Sequence, residues 1–319
     1  MVMRNIYSCD ERSSEQKKKF KGYVERVFQN HYFSNHWELA ISLESELSKV
    51  TEKKHNVTYM NGSVALISML HILGLSSGGS VKISRDVALY PWVQDCLDYM
   101  EVNAHPIDGV DECENNDVLI ALDIGLGSTA MMENNFSARI VIIPTQLSGH
   151  DSVRNDCIFI YDMGQETCFG MSTGAFISVN DDEYADKLRW MRSSYGRTGE
   201  VSVRINGNGR FSEIQAAEAL SAIQCGRVKE NVFSAISDEV LKVISGRVTN
   251  IQCNSSYYTS GIIGIPCSDK KVVSKVRSLF AGKATLCDMP AGEGLDDVVY
   301  LRLPVNDELR KQLLNILAA

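Results

Sequence analysis

The chain of 319 residues is 44% hydrophobic and carries 32 Lys and Arg against 40 Asp and Glu, for a net charge of −8. That length and hydrophobic content suffice for one large domain with a smaller one attached. The negative charge argues against a nucleic-acid-binding protein, and the lack of an apolar run of about 18 residues argues against a membrane protein.

The nine cysteines are widely spaced and include no C-x-x-C pair. No hydrophobic signal segment follows Met1. These features predict a reduced, cytoplasmic protein in which the cysteines serve as packing residues, and no metal site is predicted.

The predicted elements alternate along the chain. Residues 13–50 show helical spacing, with a second helical pattern over 37–50. Short apolar runs typical of buried parallel strands follow at 81–83, 118–122, 139–143, 157–161 and 175–179. Helices are predicted over 181–192 and from the N-cap Ser212 onward. This alternation predicts an α/β fold.

The C-terminal part has a different pattern, strand-like at 258–265 and helix-like at 270–281 and 306–318. It predicts a small α+β domain. We therefore expect an N-terminal helical segment over 1–55, a large α/β domain over 56–230 and a small α+β domain over 231–319.

Asn61, Gly62 and Ser63 immediately precede an apolar run over 64–73 that predicts a buried helix. Backbone N–H groups, a hydroxyl and the positive end of the helix dipole can together hold a phosphate. The alternative is that Asn61 or Ser63 is a simple helix cap.

Asp162 directly follows the predicted strand over 157–161, and open α/β sheets bind ligands at the carboxyl ends of their strands. A carboxylate there can keep a pyridine nitrogen protonated, and Gln165 could bond the phenolic oxygen of such a ring. The alternative is that Asp162 caps a loop.

The segment from Asn208 to Ala217, N-G-R-F-S-E-I-Q-A-A, resembles the G-x-N-x-R-x-S-E-x-Q-A-A signature of the DegT/StrS sugar aminotransferases. That family consists of fold type I pyridoxal-phosphate enzymes. The N-G-S-V-A-L segment from Asn61 resembles the N-G-T-x-A-L segment of the family, and the stretch over 190–196 resembles its L-R-x-H-G helix. The resemblance implies a mainly parallel central sheet flanked by helices.

The resemblance also implies roles for individual residues. Gly62 and Ser63 would bind the cofactor phosphate, while Asp162 and Gln165 would hold the pyridine nitrogen and the phenolic oxygen. Tyr90, placed by counting back from Asp108, would stack on the ring, and Trp92 lies two residues away. Asn208 would reach the phosphate of a neighbouring subunit, which implies a dimer.

The lysine that binds the cofactor covalently in this family has no counterpart. No lysine occurs between Lys82 and Lys187, and Met171 or Ser172 stands nearest to its place. Lys187 falls in the middle of a predicted helix and is a poor substitute. Related dehydratases replace the lysine with histidine, but no histidine follows His150.

Three hypotheses follow. The first is a divergent enzyme of amino-sugar, polysaccharide or secondary-metabolite biosynthesis that binds pyridoxal 5′-phosphate or pyridoxamine 5′-phosphate noncovalently, with little ordinary transaminase activity. The second is an inactive subunit that pairs with a lysine-bearing homologue, as a heterodimer rather than a homodimer. The third is a small-ligand-binding protein that uses the same pocket.

Overall fold

The computed structural model describes residues 13–33, 36–122, 137–144, 154–164, 169, 171, 173–193, 208–225, 257–259, 262–266, 270–280 and 298–302. The chain divides into two compact units, one of Ser14–Lys229 and one of Glu230–Ala319 with Met1–Ser13. The expected division into three segments at residues 55 and 230 stays a prediction.

The described helices of the first unit are α1 (Ser14–Asn30), α2 (Glu38–Thr51), α3 (Gly62–Ile72), α4 (Pro91–Tyr99), α5 (Asp182–Arg192) and α6 (Glu213–Gln224). The predicted helices over 13–50, 181–192 and from Ser212 are confirmed. Ser212 begins α6 with a capping box, in which its hydroxyl accepts from the Gln215 N–H and the Gln215 side chain accepts from the Ser212 N–H. Helix α5 ends at Arg192, and the rest of the predicted stretch over 190–196 beyond Ser193 lies outside the described residues.

The strands of the first unit are β1 (His55–Tyr59), β2 (Ser80–Ser84), β3 (Asn103–Ile107), β4 (Val118–Leu122), β5 (Arg139–Ile143), β6 (Ile158–Asp162) and β7 (Ala175–Val179). They form one sheet in the order β1-β7-β6-β5-β4-β2-β3. All five predicted strands are present, which confirms the α/β fold with a mainly parallel central sheet. Two further strands, β1 and β3, were not predicted.

One predicted strand direction is wrong. Strand β7 runs antiparallel to both of its neighbours, β1 and β6, while the other pairs are parallel. Strand β7 is the next strand along the chain after β6, and the pairing of the two continues past Asp162, since the Met163 N–H donates to the Gly174 carbonyl at 2.9 Å. A strand buried on both faces has the same apolar run in either direction, so its pattern could not reveal the reversal.

Different helices cover the two faces of the sheet. On one face, residues of α2 and α6 form the main core together with Phe159 and Tyr161 of β6. Successive strand residues point to opposite faces, so Asp162 faces the other side. That side is the one on which α3 packs against β1, β6 and β7.

In the second unit, the strands β8 (Tyr257–Thr259), β9 (Ile262–Pro266) and β10 (Val298–Arg302) form an antiparallel sheet in the order β10-β9-β8. Helix α7 (Lys270–Phe280) packs against β10. The small α+β domain is confirmed for its described part, although the strand-like stretch over 258–265 forms two strands rather than one. The predicted helix over 306–318 lies outside the described residues.

None of the helices in the described ranges is long and apolar enough to cross a bilayer. The cysteines of these ranges, Cys96, Cys113, Cys157 and Cys225, are free thiols. Burial raises the pKa of the Cys157 thiol to about 11, with a further contribution from Asp156, so this thiol is protonated near neutral pH.

Candidate functional site

Asp162 is the last residue of β6 and lies at the carboxyl edge of the sheet, half-buried, on the face that α3 covers. Its Oδ1 accepts a hydrogen bond from the Gly164 N–H at 3.2 Å. A Cβ on Gly164 would approach Oδ2 to 3.1 Å, so the turn packs closely against the carboxylate. The sequence placed Asp162 just after the strand, and the structure places it at the strand end.

The connection from β6 to β7 spans residues 163–174 and contains no lysine. The Met171 N–H donates to the Met163 carbonyl at 3.1 Å, and both methionine side chains lie in the core formed with α2 and α6. Met171, one of the two positions nearest the missing lysine, therefore lies on the opposite face from Asp162. Gln165 and Ser172 lie outside the described residues, so the role predicted for Gln165 stays a prediction.

Lys187 is engaged away from this edge. Its ammonium pairs with Glu183 at 2.5 Å, one turn earlier on α5. This pairing agrees with the prediction that Lys187 does not substitute for the missing lysine.

The start of α3 follows β1 after a short turn. Asn61 is its N-cap, and Asn61 Oδ1 accepts from the Val64 N–H at 2.9 Å. Among the described residues, the N–H groups of Gly62 and Ser63 have no acceptor, as expected for the first turn of a helix. Capping by Asn61 thus coexists with two N–H donors that remain available to an anion at the positive end of the helix.

The aromatic residue that contacts the start of α3 is Trp92. Its six-membered ring lies 3.4–3.6 Å from the position that a Cβ on Gly62 would occupy. Tyr90, half-buried two residues earlier, separates a short 3₁₀ helix (Arg85–Leu89) from α4. Stacking of Tyr90 on a ligand ring stays a prediction. Trp92, named in the sequence analysis only as a neighbour of Tyr90, contacts the start of α3.

A set of hydrogen bonds joins three loops at this edge of the sheet. The Met60 carbonyl accepts from the Gln215 amide at 3.2 Å and from the Thr173 hydroxyl at 3.0 Å. Gln215 also donates to the Thr173 carbonyl at 3.2 Å, and the Met60 N–H donates to the Gly209 carbonyl at 3.0 Å. The loop before α3, the loop before β7 and the start of α6 are therefore held together.

Gly209 lies directly on the first turn of α3. A Cβ at this position would stand 2.9 Å from Val64 Cγ1 and 3.1 Å from Tyr59 Cδ1, closer than packed atoms allow. Its neighbour Asn208 is exposed, and Asn208 Oδ1 accepts from Arg210 Nε at 2.7 Å. The amide nitrogen of Asn208 has no acceptor in the described part of the chain, so it is available as a donor.

Glu213, the first residue of α6, connects this part of the chain to the start of α2. Its buried carboxylate accepts from the backbone N–H groups of Trp37, Leu39 and Ala40 at 2.7, 2.8 and 3.2 Å, and so caps the start of α2. Gly209, Glu213 and Gln215 all belong to the motif that revealed the resemblance, but no role was predicted for them. Their membership of the motif was the only sign in the sequence that these three residues matter, because the residues that they contact are distant in sequence.

A buried ion pair connects α5 to α2. Arg192 Nη1 lies 2.5 Å from Glu44 Oε1 and also donates to the Thr58 carbonyl at 3.1 Å, while the Arg192 carbonyl accepts from the Gly209 N–H. Burial tends to raise the pKa of Glu44, but Arg192 and His36 outweigh it, and the pKa is lowered. Burial, aided by Arg192, lowers the pKa of His36 to about 4.

The arrangement offers complementary groups to one ligand. Two free N–H groups at a helix start suit an anion, and a half-buried carboxylate on the same face and edge suits a cationic nitrogen. The glycine at position 62 lets the ring of Trp92 lie against the backbone at the start of α3. These features fit a small aromatic phosphate with a basic ring nitrogen.

No family model matches the sequence, and no curated protein matches it. Solved structures match nearly the whole chain. A DegT DnrJ EryC1 StrS aminotransferase from Brucella abortus has a TM-score of 0.70 at 14% identity and covers 100% of this chain and 98% of its own. DesV of S. venezuelae, in complex with a ketimine intermediate, has a TM-score of 0.69 at 17% identity and covers 95% of this chain and 94% of its own.

NtdA from Bacillus subtilis, with bound cofactor PMP, has a TM-score of 0.70 at 12% identity and covers 96% of this chain and 83% of its own. Identities this low establish a shared fold. The chain has the fold of the DegT/StrS sugar aminotransferases, as the sequence predicted.

Proposed function

We propose that this chain binds pyridoxal 5′-phosphate or pyridoxamine 5′-phosphate noncovalently, as a divergent relative of the DegT/StrS sugar aminotransferases. The observation that carries the proposal is the placement of Asp162 and the free N–H groups of Gly62 and Ser63 on one face and one edge of the sheet. The fold shared with NtdA, which was solved with bound cofactor PMP, supports the same choice of ligand.

In this proposal the N–H groups of Gly62 and Ser63 donate to phosphate oxygens, and Asp162 holds a proton on the pyridine nitrogen. Gln165 bonds the phenolic oxygen, and Tyr90 stacks on the ring. The bound cofactor would supply an electron sink for breaking bonds next to a carbon that carries an amino group. A keto or amino sugar is the substrate class that the fold supports.

Ordinary transamination should be slow. Proton transfer by a positioned side chain typically contributes about 10² to 10⁴ in rate, and the connection over 163–174 supplies no lysine for it. Thr173 is engaged with the Met60 carbonyl, and Tyr161 faces the core on the other side of the sheet. We therefore propose binding with little ordinary transaminase activity, in a cytoplasmic protein of amino-sugar or polysaccharide biosynthesis.

A dimer completes the proposed site. Asn208 stands exposed on a loop that is anchored by Gly209, with its amide nitrogen available. We propose that it donates to the cofactor phosphate of a neighbouring subunit.

A second function is favoured by the same exposed Asn208 combined with the missing lysine. The chain could lend Asn208 to a lysine-bearing homologue and have no activity of its own. Co-expression with such a homologue tests this function: a stable heterodimer, whose activity falls with Asn208→Ala in this chain, would establish it. Activity that is unaffected by the substitution would exclude it.

The first function is tested by equilibrium titration of the purified protein with each cofactor form, followed by absorbance and calorimetry. Asp162→Asn removes a charged hydrogen-bond partner and should weaken binding about tenfold or more. Asp108→Asn is the matched control, because Asp108 is an exposed carboxylate after β3 that pairs with Arg85. We expect saturable binding without a borohydride-reducible adduct. No binding by the unaltered protein would refute the function.

A further inference from the structure

Large hydrophobic side chains stand exposed where α1 leads into α2. The described residues include seven large hydrophobic side chains that are exposed, and five of them lie at this corner: Phe28, Tyr32, Phe33, Trp37 and Ile41. Their exposed fractions lie between 41% and 60%. Single exposed apolar side chains are normal on a protein surface, whereas a concentrated group of them indicates an interaction site. We call these five residues the α1–α2 patch.

The four rings of the α1–α2 patch are held in two pairs. The rings of Tyr32 and Trp37 stack, with centroids 4.7 Å apart and planes 10° from parallel. Phe28 and Phe33 pack edge to face, with centroids 5.2 Å apart. Ile41 lies one turn after Trp37, and its N–H donates to the Trp37 carbonyl at 2.9 Å. Rings that already hold one another lose little freedom when a partner covers them, so they suit the anchors of a protein interface.

Hydrogen bonds join the α1–α2 patch to the segment that carries Asn208. The Glu213 N–H donates to the Phe33 carbonyl at 3.1 Å, and the Trp37 N–H donates to the Glu213 carboxylate at 2.7 Å. Glu213 follows Asn208 by five residues. Met60, another exposed hydrophobic residue, donates its N–H to the carbonyl of the residue after Asn208. A protein that covers the patch is therefore held against the same segment as Asn208.

The charge of the α1–α2 patch suits a second copy of this chain. Between residues 28 and 41 there is no lysine or arginine, and the one carboxylate, Glu38, pairs with Arg26 of α1. Each copy carries a net charge of −8, so two copies repel one another overall. A two-fold dimer brings the same surface of both copies together, which favours a surface without net charge.

The exposed area of the α1–α2 patch is also of the right order. A covered aromatic side chain buries about 150–250 Å², so four rings with exposed fractions of 41–60% offer roughly 300–450 Å². Each partner contributes roughly 800 Å² to a protein interface of standard size. The rings would thus supply about half of one side of such an interface, the share expected of its apolar centre.

We propose that two copies of this chain associate through the α1–α2 patch, and that this association brings Asn208 of each copy to the cofactor site of the other. The inference rests on the proposed function and names the surface that forms the proposed dimer. The hydrogen bonds of Glu213 make the patch and the Asn208 segment parts of one rigid piece, so docking of the patch fixes the position of Asn208.

Sedimentation velocity of the full chain over a concentration series gives the first readout. The unaltered protein should be a dimer. Ile41→Asp should weaken association at least tenfold, because an aspartate that is exposed in the single chain would be buried without a partner in the dimer. Tyr99→Asp is the matched control, since Tyr99 at the end of α4 is 79% exposed and lies outside the patch. Phe28→Ser removes an exposed ring without adding a charge and replaces Ile41→Asp if that variant fails to fold.

The second readout links the α1–α2 patch to the cofactor. Ile41→Asp should weaken binding of pyridoxamine 5′-phosphate as much as Asn208→Ala does, because a monomer has no Asn208 from a second copy. The double variant should then bind no more weakly than either single variant. Losses that multiply in the double variant would overturn the delivery of Asn208 through the patch.

The outcomes separate the two proposals. Saturable binding of pyridoxamine 5′-phosphate by a chain that stays monomeric would overturn the inference and keep noncovalent cofactor binding. A dimer that is unaffected by both patch variants would do the same, as would a chain that uses the patch only to bind a lysine-bearing homologue. A dimer that dissociates in Ile41→Asp but binds neither cofactor form would overturn the proposed function and keep the patch as the dimer surface.

Discussion

Tyr59 and Asp162 lie at the same level of the central sheet, because both are paired with Ala175 from opposite sides. Strands are spaced by about 4.8 Å, so the two backbones are roughly 10 Å apart. Strands β1 and β6 run in the same direction, and both end here. The turn that leads from Tyr59 into α3 therefore brings the N–H groups of Gly62 and Ser63 to the edge where Asp162 ends β6.

Gly209 sets how closely the Asn208 loop approaches α3. Gly209→Ala should destabilise the protein by about 1–3 kcal/mol, because the new methyl group would overlap Val64 and the buried ring of Tyr59. It should also weaken cofactor binding by displacing the loop. Urea denaturation measures the first effect and titration with pyridoxamine 5′-phosphate the second.

The control is Gly22→Ala in the middle of α1, where a Cβ would meet nothing within 4 Å. Alanine is the better helix former, so this variant should gain about 0.5–1 kcal/mol in stability and keep its affinity. If both variants behaved alike, the close contact at Gly209 would not be structurally important.

Glu213 should contribute to the free energy of unfolding, because its carboxylate caps the start of α2. Glu213→Ala leaves three backbone N–H groups at the start of α2 without their acceptor, and we expect a loss of about 2–4 kcal/mol. Glu183→Ala, which removes an exposed carboxylate from α5, should change stability by less than about 1 kcal/mol. Thermal and urea unfolding measure both, and a loss for Glu213→Ala no larger than that of the control would contradict the capping role.

Strands β4 and β7 were predictable because every one of their residues is buried, and β5 because its four residues after the half-buried Arg139 are buried. Strand β1 was not, since its sequence His-Asn-Val-Thr-Tyr buries Asn56 and Thr58 through polar contacts with Ser178 and Glu44. Among the described strands, β3 pairs with β2 alone, at the edge of the sheet, and Ile107 is the one buried residue of β3. Neither strand has the apolar pattern that reveals a strand in sequence.

The candidate site likewise contains residues that the sequence predicts and contacts that it does not predict. Asp162 and Gly62 follow from local pattern, namely the end of an apolar run and the start of a helix. The contacts of Gln215 with Met60 and of Glu213 with α2 join residues that are distant in sequence, and only the fold brings them together. The approach of Trp92 to Gly62 has the same origin.

The partly buried His36 predicts how the stability of the protein depends on pH. The pKa of His36 is about 4 in the folded protein against an ordinary 6.5, so between these values the unfolded chain binds the proton and the folded protein does not. Stability is therefore full above pH 6.5 and is lost as the pH falls toward 4. The contribution of His36 to this loss is roughly 2 kcal/mol between about pH 7.5 and pH 5.

His36→Gln should flatten this dependence in urea denaturation across that range. His105→Gln, which replaces an exposed histidine on β3, should retain it. An unchanged slope in His36→Gln would show that other groups cause the acid sensitivity.

The proposed sharing of Asn208 between subunits is tested by mixing two variants that each bind the cofactor weakly. Asn208→Ala loses the phosphate donor and Asp162→Asn loses the ring partner, so each homodimer should bind pyridoxamine 5′-phosphate weakly. In a mixed dimer with sharing, one site combines the intact Asp162 of one subunit with the intact Asn208 of the other. Full exchange of equal amounts should then restore high affinity to about a quarter of all sites.

If Asn208 instead acts within its own subunit, every site in a mixed dimer retains one of the two substitutions, and no high-affinity sites should appear. Calorimetric titration before and after subunit exchange counts them directly. A mixture of either variant with itself, treated identically, controls for refolding. Because the loop is anchored to α3 through Gly209 in its own chain, the result also decides whether a lysine-bearing homologue could use this loop, since only a donor that reaches across the dimer can serve a partner's site.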